Sequence, residues 1–172
     1  MDITEILKIT IPALLVLITA YFLIDKLLKN EDKRRNFELR KNNLSQVTPI
    51  RLRAYERLTL LLERTTPNTL LLNVMKPEMT CFDLQRELLA SVRQEFSHNI
   101  SQQIYVSNEL WNAVKVSQES LLQLINICAS KCPPDKMASV LAEIIIQVYS
   151  SNEQPPSEIA IEMLKKEVGQ FL

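Results

Sequence analysis

The sequence predicts an all-α protein: an N-terminal transmembrane helix, a charged stalk, and a compact bundle of about five helices. Three observations lead there. The chain has a single glycine, Gly169, in 172 residues, and tight hairpins and phosphate-wrapping loops both need glycine. Apolar residues recur every three or four positions through most of the chain, the period of an amphipathic helix. The stretch 9–24, ITIPALLVLITAYFLI, carries no charge at all.

That uncharged stretch is the first element. Sixteen helical residues rise about 24 Å against a hydrocarbon core of about 30 Å. Extending the helix from Ile3 to Leu28 closes the gap, with Lys8 and Lys26 reaching toward the headgroups and Tyr21 and Phe22 at the interface. Pro12 is better tolerated in lipid than in a soluble helix. A cleaved signal peptide fits less well. Asp2 and Glu5 outnumber Lys8 ahead of the apolar run, and Ile18-Thr19-Ala20 is a poor cleavage site. The anchor is therefore assigned to 1–28. Only Lys8 precedes the span, whereas Lys26, Lys29, Lys33, Arg34, Arg35, Arg40 and Lys41 follow it. The positive-inside rule then places the N-terminus outside and the body in the cytoplasm.

Residues 29–47 form the juxtamembrane stalk. The stretch 25–46 mixes both signs with a net charge of three positives. Few apolar residues share a face, so a frayed helix is expected rather than a packed element. Lys33, Arg34 and Arg35 are the candidates for contact with a membrane surface.

The body is 48–172. Pro49 suits the first turn of a helix whose Ile50, Ala54, Leu58, Leu61 and Leu62 line one face. Between Pro67 and Pro77 a turn or two of helix fits. Thr80 reads as an N-cap with Asp83 in the first turn, opening a helix that buries Leu84, Leu88, Val92 and Phe96. Ser107 caps a longer helix with Leu110, Val114, Leu121, Ile125 and Cys128 inward. Pro133-Pro134 and Pro155-Pro156 each start another. The first points Met137, Val140, Leu141, Ile144, Ile145 and Val148 inward, the second Ile159, Met163, Leu164, Val168 and Phe171. Proline takes the punctuating role that glycine has in most chains.

Residues 97–111, SHNISQQIYVSNELW, break the pattern, with the only histidine and only tryptophan among amides and serines. Two helix ends meeting inside a body leave unpaired N–H and C=O groups, and Asn99, Ser101, Gln102, Gln103, Ser107 and Asn108 can satisfy them without adding charge. Ile100, Ile104, Val106 and Trp111 can pin such a joint to the core. Amides and aromatics also make recognition patches. His98, Asn99, Gln102, Gln103 and Tyr105 are accordingly candidate partner contacts, with Arg51, Arg53 and Arg57 as a second patch.

Other chemistries find less support. Twenty basic residues balance twenty acidic ones and the body lacks a basic face, against a nucleic-acid partner. Cys81, Cys128 and Cys132 are odd in number, have no framework spacing, and suit a reducing compartment. With His98 they could form a zinc site, but C-x3-C alone is a weak signal. Glu95 stands three residues before His98 and could orient it, yet no nucleophile is apparent. No catalytic, metal-ligating or cofactor-binding residue is assigned, and no small-molecule substrate is identified.

The order of anchor, basic stalk, PIRLRAYERLTLLLERTTP and then HNISQQIYVS resembles an uncharacterised family of small membrane-anchored proteins of Bacteroidota. The resemblance implies a bacterial inner-membrane setting and carries no activity. The function expected is that of a single-pass protein, not an enzyme, whose cytoplasmic helical module binds other proteins as an adaptor or accessory subunit. The alternatives are a membrane-tethered binder of lipid or small apolar ligands and a metal-dependent enzyme using cysteine and histidine.

Overall fold

The computed structural model of the chain describes residues 3–170, apart from the side chains of 3–13, 40 and 42–44. Among these residues it is all-α, with six α-helices, one 3-10 helix and no strand. The chain divides into two units, 1–47 and 48–172. Helix α1, Ile3–Arg64, begins in the first and ends in the second.

Within the first unit, the helix is continuous where the stalk was expected to fray. Its pairs are local: Lys29 with Asp25 at 2.7 Å, and Arg34 with Glu31 and Glu38 at 3.5 and 3.6 Å. Ion pairs at i, i+3 and i, i+4 support a helix by a few tenths of a kcal/mol each without any packed face. Lack of an apolar stripe is a statement about packing and not about helicity. The apolar side chains from Leu14 to Leu17 and from Tyr21 to Ile24 are exposed. Among the described residues no helix is long and apolar enough to cross a membrane. The predicted anchor at 1–28 is therefore not supported as a span, and the side chains of its first thirteen residues lie outside the description.

In the second unit α1 runs straight through Pro49 instead of starting there. Proline removes one rung but leaves the helical φ in place. The helix buries Ala54, Tyr55, Leu58, Leu61 and Leu62, while Ile50, expected inside, is exposed. The hydroxyls of Thr65 and Thr66 return to the carbonyls of Leu61 and Glu63 and close the C-terminus. Helix α2, Pro67–Val74, then buries Leu70 and Leu71.

Helix α3, Cys81–Asn99, starts with a capping box, Thr80 accepting from the Asp83 N–H and Asp83 receiving the Thr80 N–H in return. These hydrogen bonds from Thr80 hold the Asp83 carboxyl below its ordinary pKa. Its buried face is the predicted one: Leu84, Leu88, Val92 and Phe96. Two N–H groups at its start are answered from a segment some fifty residues further along the chain. Cys81 donates to the Lys136 carbonyl at 2.8 Å and Phe82 to that of Pro134 at 3.2 Å. The Ala138 N–H donates to Met79 at 2.9 Å, giving an isolated antiparallel bridge between Thr80 and Met137.

The 3-10 helix Ile100–Ile104 joins α3 to α4, Asn108–Ser130, which Ser107 caps through the Leu110 N–H. Helix α5, Ala138–Ser150, begins later than its prolines suggested, because 133–137 forms the loop that laces the start of α3. Met137 and Val140 are consequently exposed, while Leu141 and Ile145 are fully buried. Helix α6, Pro156–Val168, buries Ala160 and Leu164 and leaves Ile159 exposed; Phe171 lies outside the described residues. One core holds the unit together, from Tyr55 and Leu58 through Leu88, Val114 and Ile125 to Ile145 and Leu164.

Candidate functional site

Two features of the second unit gather the polar residues singled out in the sequence: a cleft beside the end of α3, and the joint after it.

The cleft has a volume of about 380 Å³ and two walls. Along α1 they are Arg57, Leu60, Leu61 and Arg64, spaced i, i+3, i+4 and i+7 and so on one helical face. From the last turn of α3 come Glu95, His98 and Asn99, again on one face. Arg57, Arg64 and His98 are exposed at its mouth. None of the three makes an ion pair or side-chain hydrogen bond among the described residues. Glu95 and His98 share the cleft without forming the ion pair their spacing allowed. Asn99 is engaged, its Nδ2 donating to the Glu95 carbonyl at 2.8 Å. Two unpaired guanidinium groups on one wall, with an imidazole opposite, offer donors in the fork geometry that carboxylates and phosphates accept. One acid against two fixed cations leaves the cleft positive.

The joint is organised by a residue that sequence spacing did not point to. Glu167, near the end of α6, places its Oε1 at 3.0 Å from the Ser107 N–H and 2.8 Å from the Tyr55 hydroxyl, and its Oε2 at 2.5 Å from the Ser107 hydroxyl. Arg51 Nη2 lies 3.5 Å from the same carboxylate and donates to the Tyr55 hydroxyl at 2.8 Å, while its Nε donates to the Tyr105 carbonyl at 3.0 Å. The guanidinium also lies 5.8 Å from the centre of the Tyr55 ring. A carboxylate against the first turn of α4 suits the positive end of that helix. Burial, then the bond to Glu167, pushes the Tyr55 phenol up to about 12. The contacts of Glu167 span 60 to 116 residues of sequence, which is why local spacing gave no sign of them.

The predicted contact residues thus separate. His98, Asn99 and Arg57 come together at the cleft. Arg51 is half-buried and bound into the joint, and Gln102 is 7% exposed with its amide on the Ser101 hydroxyl. Tyr105 is half-buried, and Gln103 and Arg53 are exposed outside the cleft lining. In the first unit, Lys33, Arg34 and Arg35 are exposed. Ile100 and Ile104, expected to pin the joint, are exposed, whereas Val106 and Trp111 pack against the core. Arg64 was not singled out in the sequence; its place seven residues after Arg57 on the same face was the available signal.

The cysteines depart from the expectation of three separate thiols. Cys81 and Cys132 are joined in a disulfide that ties the start of α3 to the loop after α4. Cys128 is free and buried, and burial raises its thiol pKa against the opposing pull of Lys131. His98 stands at the other end of α3 from Cys81, about 25 Å along the helix axis. No group of metal-binding side chains forms among the described residues, so the Cys3His arrangement is not assembled.

No curated protein and no solved structure matches the chain. A match over residues 1–171 shows where it does belong: the chain is a member of the family of unknown function DUF7935.

Proposed function

We propose that the helical body is a protein-interaction module that seats an acidic group of a partner in the cleft of Arg57, Arg64 and His98. The observation that carries this reading is the pair of arginines, placed on one face and left without a counter-ion among the described residues. An arginine that already has a carboxylate partner, as Arg51 does, has less to offer a second protein. The exposed Gln103 and Ile104 lie a few residues beyond His98 in the chain and supply the amide and apolar character that interface rims use.

The proposal extends to the setting. The chain is tethered by a single span at 1–28, N-terminus outside and body in the cytoplasm of a bacterial cell, and serves as an adaptor or accessory subunit of an inner-membrane complex. Support comes from the uncharged stretch 9–24 and from apolar side chains exposed on consecutive positions, hence on every face, between Leu14 and Ile24. A helix apolar all round calls for a nonaqueous surrounding.

The test is gentle extraction of the full-length chain, crosslinking and mass spectrometry, with Arg57→Glu/Arg64→Glu beside the unaltered protein. One stoichiometric partner, lost in the double variant while the body stays folded, supports the module. A protein recovered alone, or a partner indifferent to both substitutions, refutes it. Carbonate washing tests the tether independently, because a chain released by carbonate has no span.

A further inference from the structure

A second cavity, of about 170 Å³, opens elsewhere on the body, where the end of α1, the middle of α4 and the α5–α6 connection come together. Its chemistry is unlike that of the arginine cleft, since none of its lining side chains is charged. The apolar wall is Leu121 and Leu124 of α4 with Pro67, Pro155 and Pro156. Prolines contribute ring faces without N–H groups, so this wall asks nothing of a ligand but contact. The polar wall is hydroxylic apart from the Asn152 amide: Thr65 just after α1, Ser117 and Ser120 of α4, and Tyr149 with Ser157, whose hydroxyls lie 3.1 Å apart.

Ser117 is the telling residue. It is 6% exposed, yet its hydroxyl has no hydrogen-bond partner among the described residues, and no fully enclosed side-chain polar atom of the body is left unsatisfied. The remaining accessible surface of Ser117 therefore faces the cavity it lines. The hydroxyl is open to water in the cavity, although a serine inside a helix commonly donates to a carbonyl one turn back. Ser117 does not, so it is presented to whatever occupies the space.

Volume limits the occupant. A dry cavity of about 150 Å³ admits one benzene ring, and this one is of that size. Absence of lining charge disfavours an ion, which would leave water for a wall with nothing to neutralise it. We propose that the cavity is a binding site for a small uncharged ring compound bearing one hydroxyl or amide group, with the ring against Leu121, Leu124 and the prolines and the polar group on Ser117.

The experiment uses the full-length chain in lipid nanodiscs with 13C-methyl leucines, titrated with phenol, with benzene and with benzoate. Phenol is expected to shift the Leu121 and Leu124 methyl signals saturably, with benzoate weaker by more than about tenfold. Ser117→Ala should weaken phenol about three- to tenfold while leaving benzene unchanged. Ser120→Phe, at a half-buried rim position, should fill the cavity and abolish both while the other leucine signals stay in place. Absence of saturable shifts with phenol, equal binding of benzoate, or phenol binding that survives Ser120→Phe overturns the proposal. Phenol affinity unaffected by Ser117→Ala overturns the role given to that hydroxyl.

Discussion

Glu167 exposes 12% of its side chain and accepts from Ser107 twice, from Tyr55 and from Arg51. A buried carboxylate is tolerated only with such company, and removing its charge leaves those donors facing a weaker acceptor. Glu167→Gln should therefore lower the stability of the body by about 1.5–3 kcal/mol, read as a lower urea midpoint with unchanged slope. Tyr55 gives the same network a pH signature. Its folded pKa, about 12, stands above the ordinary 10.0, so the fold favours the protonated phenol. That contribution is complete below pH 10 and drains away as pH rises through 12. Tyr55→Phe should flatten the alkaline loss of stability followed by circular dichroism, and an unchanged slope would show that Tyr55 does not carry it. Gly169 needs no glycine at all: its φ is −63°, and an added Cβ would meet nothing closer than the Lys165 carbonyl at 3.4 Å. Gly169→Ala should raise stability by about 0.5 kcal/mol through the unfolded chain.

Among the elements, the start of α3 is the most heavily secured, by the Thr80–Asp83 box, the loop carbonyls of Pro134 and Lys136, and the disulfide to Cys132. Thr80→Ala should cost about 1 kcal/mol in denaturant unfolding. How legible these elements were depended on range. The caps at Thr80 and Ser107, and the inward faces of α3 and α4, are local patterns of three and four residues, and the structure bears them out. Met137 and Val140 were misjudged because the turn at 133–137 lends its carbonyls to the start of α3, a tertiary demand that no periodicity encodes. Pro49 misled in the other direction: proline favours a first turn and is costly in a helix interior, yet here the helix on both sides carries it. For the candidate site, His98, Asn99 and Arg57 could be picked out locally but their meeting could not, since the cleft joins residues some forty positions apart. Glu167 and the Ser117 cavity were hidden for the same reason.

Over the whole chain, the core of the second unit draws, among the described residues, on the stretch from Tyr55 to Leu164 with Val168 packed against it. A body expressed from residue 48 onward should thus retain a cooperative thermal transition. A noncooperative melt of that fragment would mean that 1–47 contributes to folding. Fold class could be read from the sequence at large, because near-absence of glycine and a recurring helical period are global properties. Sidedness is another matter, and here the Cys81–Cys132 link has a use beyond holding α3 in place. Such a bond is at home in an oxidising space and scarce in a reducing one, so the oxidation state of the body keeps a chemical record of where it matured. Chains alkylated under denaturing conditions, straight from intact cells, would gain one polyethylene-glycol maleimide at Cys128 if the link had formed, and three if it had not. A single added step on the gel would mark a body that matured in an oxidising space and would overturn the cytoplasmic placement proposed above.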